Sequence, residues 1–384
     1  MNQLARPLTD RIDAGRIFIF ADDLTGACDS GVAFLACGRP VRVVLDASRF
    51  DLRALRQVEA QGNQAVWAFT TETRNLSPEQ AGERLAASMS ALSPVSQDAL
   101  FFKKMDSAAR GHLSVEIMAA LRSSGAALAL VAPAFPKAGR TVQSGVLNVR
   151  DCGGQNATIS LRALFPDAYA NDIDVLPTGS ERDLEQGIAR ALANGTRILL
   201  CDATTQADLE ELAAAALSMQ QPLLWAGSAG LAHALAGTLP VCNSKAALPA
   251  SRRLGRTLLF VGTPHPVTGL QVSHLTQESK MPGRPIHRIQ CGTTPAPEVV
   301  ATFAAEPVSA LILTGGDTAA FVLRSLDASS IVLAGELAPG IPWGYIQGGA
   351  ADGCVVVTKS GGFGQREALV HAFEFCERRS CEPA

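Results

Sequence analysis

Several features that would assign this 384-residue chain to a common functional class are missing from its sequence. Its charge is almost balanced, with 33 lysines and arginines against 36 aspartates and glutamates, for a formal net charge of −3. Such a balance gives no general attraction to nucleic acid or to an anionic membrane, so any anion must be bound by local groups. We therefore expect a small-molecule partner.

Cysteines are few, and they are scattered along the chain. The nine cysteines form no C-x-x-C pair of the kind found in zinc sites, and their odd number excludes complete disulfide pairing. Charged residues interrupt the first sixteen positions, so no apolar signal-peptide core is present, and no apolar run reaches the roughly 18 residues of a membrane span. We expect reduced thiols and a cytoplasmic protein.

Well-known catalytic motifs are also missing. The sequence has no G-x-x-x-x-G-K-[ST] loop and no G-x-G-x-x-G turn, so a bound nucleotide must be held in another way. It has no H-E-x-x-H or G-x-S-x-G motif, and its six histidines show no ligand spacing. The sequence therefore identifies no metal ligands.

What is present is a regular alternation of short apolar runs with alanine- and leucine-rich stretches of helical period. This pattern predicts an α/β protein of two domains, each with a mainly parallel sheet flanked by helices. A segment rich in proline, serine and basic residues separates 1–242 from 256–384, and we interpret 243–255 as a linker. The predicted strands are 17–20, 41–44, 65–69, 99–102, 128–132, 198–201, 257–261, 310–313, 330–333 and 354–357, with helices such as 78–89 and 113–122 between them.

Two adjacent carboxylates, Asp22 and Asp23, directly follow the first predicted strand. The carboxyl edge of a parallel sheet is where open α/β folds bind ligands. In phosphoryl transfer one carboxylate can accept a hydroxyl proton while a neighbour helps to hold Mg²⁺. The alternative is that one of the two is only the N-cap of a helix starting near Leu24.

Cations cluster in the polar loops that follow other predicted strands of the first half. Three of them occur in 103–111, and these cations can clamp a carboxylate. The alternative is a solvated basic surface whose Asp and Ser cap the next helix. The segment 133–141 is predicted to be a rigid, proline-fixed loop, and polar loops also follow at 70–75 and 227–230. The side chains of interest are Arg74, Lys103, Lys104, Asp106, Ser107, Arg110 and Arg140.

Two glycine-rich turns follow strands of the second half. Glycines let the backbone approach a phosphate, and the start of the next helix supplies unpaired N–H groups. Either turn alone could be an ordinary tight turn, but the pair suggests a site for a nucleotide polyphosphate. The residues concerned are Gly315, Gly316, Asp317 and Thr318 in the first turn and Lys359, Gly361, Gly362 and Gly364 in the second.

Taken in order, these motifs resemble the four-carbon acid sugar kinase family over nearly the whole chain. The resemblance implies an ATP-dependent kinase that uses Mg²⁺ and phosphorylates the terminal hydroxyl of a sugar acid such as threonate, erythronate or 3-oxo-tetronate. It also implies an active site in the cleft between the two domains. The matching segments are ADDLTGA (21–27), KKMDSAARG (103–111), PAFPKAGRT (133–141), GSAGLA (227–232), GGDT (315–318), PGIPWG (339–344) and KSGGFG (359–364).

By the same resemblance the first domain holds the acid and the second holds the nucleotide. Because the paired carboxylates lie at the predicted edge of the sheet, we prefer Asp22 as the base, with Asp23 as its rival and Lys104 assisting catalysis. Arg74, Asp106, Ser107, Arg110 and Arg140 are expected on the acid side. The nucleotide side takes the two glycine turns and Thr263, within the turn 262–268.

The residues alone are compatible with two other functions. A sugar-acid sensor would bind its ligand without catalysis, although it would have no use for the glycine turns. An oxidoreductase with a nicotinamide cofactor would be expected to carry the dinucleotide motif that is missing. A homodimer is compatible with the sequence, but no surface is singled out for it.

Overall fold

The computed structural model describes residues 16–60, 64–150, 156–242, 253–277 and 285–381. Most of the linker predicted at 243–255 lies outside these residues, as do the first fifteen positions. Within them, strands and helices alternate as predicted, and helices flank a large, mainly parallel sheet.

Fourteen of the described strands form one continuous sheet. Most of these strands are apolar and buried along their whole length, as the continuous hydrophobic runs predict. The described strands are β1 (Ile17–Ala21), β2 (Val41–Val44), β3 (Val66–Thr70), β4 (Leu100–Lys104), β5 (Leu128–Ala132), β6 (Arg140–Gln143), β7 (Val146–Arg150), β8 (Asn156–Ser160), β9 (Ile173–Leu176), β10 (Ile198–Cys201), β11 (Leu223–Gly227), β12 (Arg256–Val261), β13 (Ile286–Arg288), β14 (Val308–Thr314), β15 (Ser330–Glu336), β16 (Pro342–Gln347) and β17 (Val355–Lys359). Their order in the large sheet is β13-β12-β14-β17-β16-β15-β2-β3-β1-β4-β11-β5-β10-β9.

The sheets of the two halves are joined at one edge. Strand β15 runs antiparallel to β2, with Val41 opposite Leu333 and Val44 opposite Ser330. Strand β16 is antiparallel to both of its neighbours, and the remaining pairs are parallel. This pairing satisfies two sheet edges that would otherwise expose unpaired N–H and C=O groups. Each half therefore contributes its own mainly parallel sheet to one surface.

A small antiparallel sheet, β6-β7-β8, was not predicted. The segment 133–141, expected to be a loop throughout, ends by entering strand β6 at Arg140. Gly139 makes this possible because its left-handed φ of 79° turns the chain from a short 3₁₀ turn into the strand. Val142 and Leu147 on the hairpin are fully buried, so apolar packing fixes it on the larger fold.

Helices begin where the sequence supplies caps. Ser77 with Gln80, Ser180 with Asp183, and Thr205 with Asp208 form capping boxes at the starts of three helices. The described helices are α1 (Leu24–Gly31), α2 (Leu52–Ala60), α3 (Pro78–Ser90), α4 (Leu113–Ser124), α5 (Glu181–Ala193), α6 (Gln206–Leu217), α7 (Ala229–Thr238), α8 (Pro266–Gln277), α9 (Ala296–Ala304), α10 (Gly316–Ser325) and α11 (Ala368–Cys381).

The register of the strands brings the predicted polar loops level with one another. Ala21, the last residue of β1, pairs with Thr70 of β3 and with Lys104 of β4. In the second half, Thr314 at the end of β14 pairs with Lys359 at the end of β17. The loops that carry the candidate site residues therefore leave the sheet side by side.

Candidate active site

A cleft of about 660 Å³ lies between the two halves of the chain. A smaller pocket of about 20 Å³ shares Asp23, Arg74 and Ser107 with this cleft. Predicted residues from both halves line the cleft: Asp23, Arg74, Ser107, Arg110 and Arg140 from the first, and Thr263, Gly315, Gly316, Asp317, Thr318, Gly361 and Gly362 from the second. Lys104 and Asp106 line the small pocket, whereas Asp22, Lys359 and Gly364 line neither space.

Arg74 links the carboxylates of the first half. Its guanidinium donates to both carboxylate oxygens of Asp22, at 2.8 and 3.1 Å, and to Asp23 at 2.7 Å. It also lies 3.5 Å from a carboxylate oxygen of Asp106. Burial acts to lower the pKa of Arg74, but the charges of Asp23, Asp22 and Asp106 outweigh it and raise the pKa. One permanently charged guanidinium therefore fixes three carboxylates relative to one another.

The two adjacent aspartates have different surroundings. Asp23 is the N-cap of α1 and accepts from the N–H of Gly26 at 2.7 Å, while it also lines the cleft. Asp22 is only 2% exposed, and both of its oxygens face Arg74. Burial acts to raise the pKa of Asp22, but Arg74 and Lys103 hold it below its usual value. The geometry favours Asp23 over Asp22 as the carboxylate that meets a ligand.

Lys103 and Lys104 are successive residues of β4 and point to opposite sides of the sheet. Lys103 Nζ lies 3.3 Å from a carboxylate oxygen of buried Glu116 and donates to the carbonyl oxygen of Lys104 at 2.7 Å. Lys104 Nζ lies next to the first turn of α1, where a Cβ on Gly26 would approach it to 3.1 Å. Lys103 therefore belongs to the packing, and Lys104 belongs to the site.

Asp106 holds Arg110 at the rim of the cleft. Arg110 Nε and Nη2 donate to the two oxygens of Asp106 at 3.0 and 2.6 Å. Burial acts to raise the pKa of Asp106, but the hydrogen bond and charge of Arg110 hold it well below its usual range. The Arg110 side chain is 58% exposed and lines the cleft. It is thus an oriented cation accessible to an anionic ligand.

The first glycine turn brings the start of α10 against Asp23 of the first half. Gly315 has a φ of 94° and donates its N–H to the carbonyl of Lys359 at 2.8 Å. A side chain at Gly316 would collide with the carboxylate of Asp23. Only glycine permits this approach, which presents the unpaired N–H groups of the helix to the cleft.

The second glycine turn is organised from inside by Lys359. This residue is 1% exposed, and its Nζ donates to the Thr268 hydroxyl at 3.1 Å and to the carbonyls of Ser360, Gly361 and Phe363 at 3.0–3.2 Å. Burial lowers its pKa to about 7. The predicted contact of Lys359 with a phosphate is therefore replaced by a structural role, because its ammonium group faces the inside of the turn.

Gly364 ends the same turn and has a similar role. Its φ is 85°, and its carbonyl accepts from the side-chain amide of Gln271 at 2.9 Å. The residues of the turn that line the cleft are Gly361, Gly362 and Phe363. Gly364 therefore shapes the turn without lining the cleft.

Sequence reasoning missed the contacts that join the two halves. The amide of Asn75 donates to Asp317 at 2.9 Å, and Arg324 lies 3.8 Å from Glu72. Burial raises the pKa of Glu72 to about 7. Asn75 and Glu72 occur in the polar loop 70–75, but nothing in the sequence indicates partners more than 240 positions away.

Phe363 and Asp29 were also missed. The ring of Phe363 lies 5.8 Å from the guanidinium carbon of Arg140 and lines both spaces. Asp29 lies on α1, four residues after Thr25, and both line the small pocket. A spacing of four residues puts two side chains on one face of a helix, so the sequence could have indicated that Asp29 lies beside Thr25.

Comparison with known proteins identifies the family. The sequence profile of the Sugar-binding N-terminal domain matches residues 17–235, and that of the Nucleotide-binding C-terminal domain matches residues 251–369. This chain belongs to the four-carbon acid sugar kinase family.

Curated members of the four-carbon acid sugar kinase family align along most of the chain. A D-threonate kinase of Bordetella bronchiseptica is 29% identical over 94% of this chain and 98% of its own length. A 3-oxo-tetronate kinase of Pseudomonas fluorescens is 27% identical over 90% and 94%. A D-erythronate kinase of Heliobacterium modesticaldum is 31% identical, over 51% and 47%. The relatives support kinase activity for the family and differ in their acids.

Two solved structures share the fold of this family member. One, from Salmonella typhimurium LT2, has a TM-score of 0.67 at 19% identity and covers 93% of this chain and 98% of that one. The other, from Haemophilus influenzae, has a TM-score of 0.65 at 18% identity and covers 94% and 100%. Among the described residues, none of the helices has the length and apolar character needed to cross a bilayer.

Proposed function

We propose that this chain transfers the γ-phosphoryl group of ATP to the terminal hydroxyl of a four-carbon sugar acid of the threonate, erythronate or 3-oxo-tetronate type. The observation that carries the proposal is the cleft, which is lined by fixed cations from 1–242 and by two glycine turns from 256–384. The names of the curated relatives support this substrate class. In this proposal the first segment binds the acid and the second binds ATP.

We assign the carboxylate of the acid to the cations of the first half that line the cleft. Arg110 offers an oriented guanidinium, and Ser107 offers a hydroxyl beside it in the same cleft. Arg140 lines the same space and lies over the Phe363 ring. Because Asp106 takes the Nε and Nη2 edge of Arg110, the acid would bind at the Nη1 and Nη2 edge. That edge also presents two N–H groups to a carboxylate, which makes Arg110 the main anchor.

The phosphates are assigned to the glycine turns. The unpaired N–H groups at the start of α10 and the backbone at Gly361 and Gly362 face the cleft, with the Thr263 hydroxyl nearby. A helix N-terminus is a ready anion site because its N–H groups and dipole both favour negative charge. This arrangement supplies a phosphate site without a Walker loop.

Mg²⁺ fits the same place. The carboxylate of Asp317 lines the cleft at the first glycine turn and is an oxygen donor of the type that Mg²⁺ prefers. Mg²⁺ usually keeps several waters and is bound by one or two carboxylates together with substrate phosphates, so it needs no larger set of side-chain ligands. When bound, the ion would neutralise charge on the phosphates.

The chemical step is an in-line displacement. The hydroxyl oxygen of the acid forms a bond to the γ-phosphorus, the bond to the oxygen bridging the β- and γ-phosphorus atoms breaks, and ADP leaves. We assign Asp23 as the residue that orients this hydroxyl and accepts its proton, because it lines the cleft. Asp22 acts through Arg74, which it holds in position, and Lys104 adds positive charge beside Asp23.

Two variants test the division of the cleft. Arg110→Gln should raise KM for the acid by at least about tenfold and leave KM for ATP unchanged, since it removes one charge-assisted contact. Gly362→Ala should do the reverse, because its new methyl group would enter the phosphate side, 3.1 Å from the His265 ring. Equal changes in both KM values for both variants would contradict the assignment.

A further inference from the structure

The small pocket beside the cleft has room for a single polar group. Its volume of about 20 Å³ is enough for one water molecule or one hydroxyl. It is continuous with the cleft, since Asp23, Ser107 and Phe363 line both. A carboxylate or a phosphoryl group is too large for it. Of the polar groups on a sugar acid, only a hydroxyl that is not phosphorylated fits.

Asp29 contributes a hydrogen-bond acceptor to this pocket. It is 9% exposed, and within the described part of the chain its buried Oδ1 has no hydrogen-bond partner. Asp22, Asp23 and Asp106 differ, because each of their oxygens already has at least one partner, so none of them lacks a hydrogen bond before a ligand binds. A buried acceptor without a partner is costly and calls for an explanation in a native protein.

No neighbouring charge gives a structural reason for a buried carboxylate at Asp29. Burial raises its pKa to about 7, Lys104 opposes this shift, and Glu336 and Asp23 add to it. Neither Lys104 nor any other cation of the described chain forms an ion pair with it in this structure. A side chain that destabilises the ligand-free protein and faces a space of ligand size is typically a binding residue.

We propose that Asp29 accepts a hydrogen bond from a non-reacting hydroxyl, on C2 or C3 of the bound acid, and so selects acids that carry that hydroxyl. The proposal rests on the proposed function, since it requires the acid to occupy the cleft. Aromatic and small side chains complete the pocket, with Phe363 and Ala229 among them, so the carbon chain would pack beside the hydroxyl. Asp29 is thus a specificity residue, distinct from the proton acceptor Asp23.

The test measures kcat/KM and calorimetric binding for the preferred acid and for its C2-deoxy and C3-deoxy analogues. With the wild-type enzyme, one analogue should lose at least about 100-fold in kcat/KM, because a site built to bind a hydroxyl rejects a ligand that lacks it. Asp29→Ala should lose a similar factor with the parent acid and less than about threefold with that analogue. Asp29→Asn, which retains an acceptor oxygen, should keep most of the selectivity.

A uniform loss with Asp29→Ala for the parent and both analogues would overturn the proposal and indicate a structural role. The control is Ser30→Ala, since Ser30 is the next residue, is fully buried, has an Oγ without a partner in the described chain and lines neither space. It should leave the selectivity unchanged. Absence of ADP formation with wild-type enzyme would contradict the proposed kinase function alone, since the binding data still test Asp29. If no acid binds, both proposals fail.

Discussion

Replacement of Arg74 by glutamine should destabilise the protein more than the loss of an exposed ion pair would. The guanidinium makes three charge-assisted hydrogen bonds of 2.7–3.1 Å, to Asp22 and Asp23, and lies near Asp106. Its side chain is only 19% exposed, and the two bonded carboxylates are almost fully buried. The Arg74→Gln variant therefore leaves buried carboxylates without their shared cation.

The expected loss is about 3–5 kcal/mol in the free energy of unfolding at pH 8, which is the usual cost of breaking a buried ion pair on one side. The loss should shrink as the pH falls toward 5. In the wild-type protein Arg74 keeps the pKa of Asp22 low, so its stabilising effect is present above the unfolded value and disappears only in acid. In the variant, burial raises that pKa, and protonation relieves the penalty.

Urea denaturation at pH 8 and pH 5 measures this difference. Adding Asp22→Asn to Arg74→Gln should restore about 1–3 kcal/mol, since the two substitutions remove both partners. Arg49→Gln is the matched control, because Arg49 also pairs with an aspartate, Asp327, but the two side chains are 72% and 76% exposed. It should cost less than about 1 kcal/mol. A similarly small, pH-independent loss for Arg74→Gln would show that Arg74 does not stabilise the buried carboxylates.

Three further predictions follow from single contacts. Asp23→Asn should lower kcat by at least about 100-fold with little change in either KM, whereas a larger effect of Asp22→Asn on kcat would reverse our assignment. Burial lowers the pKa of Lys359 to about 7, so between pH 7 and the unfolded pKa of about 10.5 the unfolded lysine binds more protons than the buried one. The unfolding free energy of the wild-type protein, measured by urea denaturation, should therefore rise between pH 7 and 10. Lys359→Met should remove this rise. Gly316→Ala should reduce activity at least about tenfold without lowering the melting temperature by more than a few degrees, because its methyl group meets Asp23 at the cleft.

Much of the fold could be predicted because its strands are buried on both faces. Runs such as 128–132 and 198–201 are continuous apolar segments, and the structure gives strands with those bounds. The hairpin β6-β7 could not be predicted in this way. Its strands are short and alternate between buried and exposed positions, and the prolines and Gly139 before it are typical of a loop.

The composition of the site could be predicted better than its pairings. Strand ends and glycine turns predicted loops that line the cleft in the structure, since these loops leave neighbouring strands. The sequence cannot show that Lys359 turns inward, that Arg74 bonds Asp22 or that Asn75 reaches Asp317. These contacts join residues far apart in the chain and depend on side-chain direction, which residue type alone does not determine.

The proposed kinase activity can be tested directly by mixing the purified protein with ATP, Mg²⁺ and an acid, and by measuring ADP and phosphorylated acid. The acids are D- and L-threonate, D-erythronate, 3-oxo-tetronate and glycerate, with a control that lacks acid. We expect ADP and a phosphorylated product to form in equal amounts with at least one four-carbon acid. Background ADP with every acid, together with tight acid binding in a thermal-shift assay, would contradict the kinase and favour a sensor.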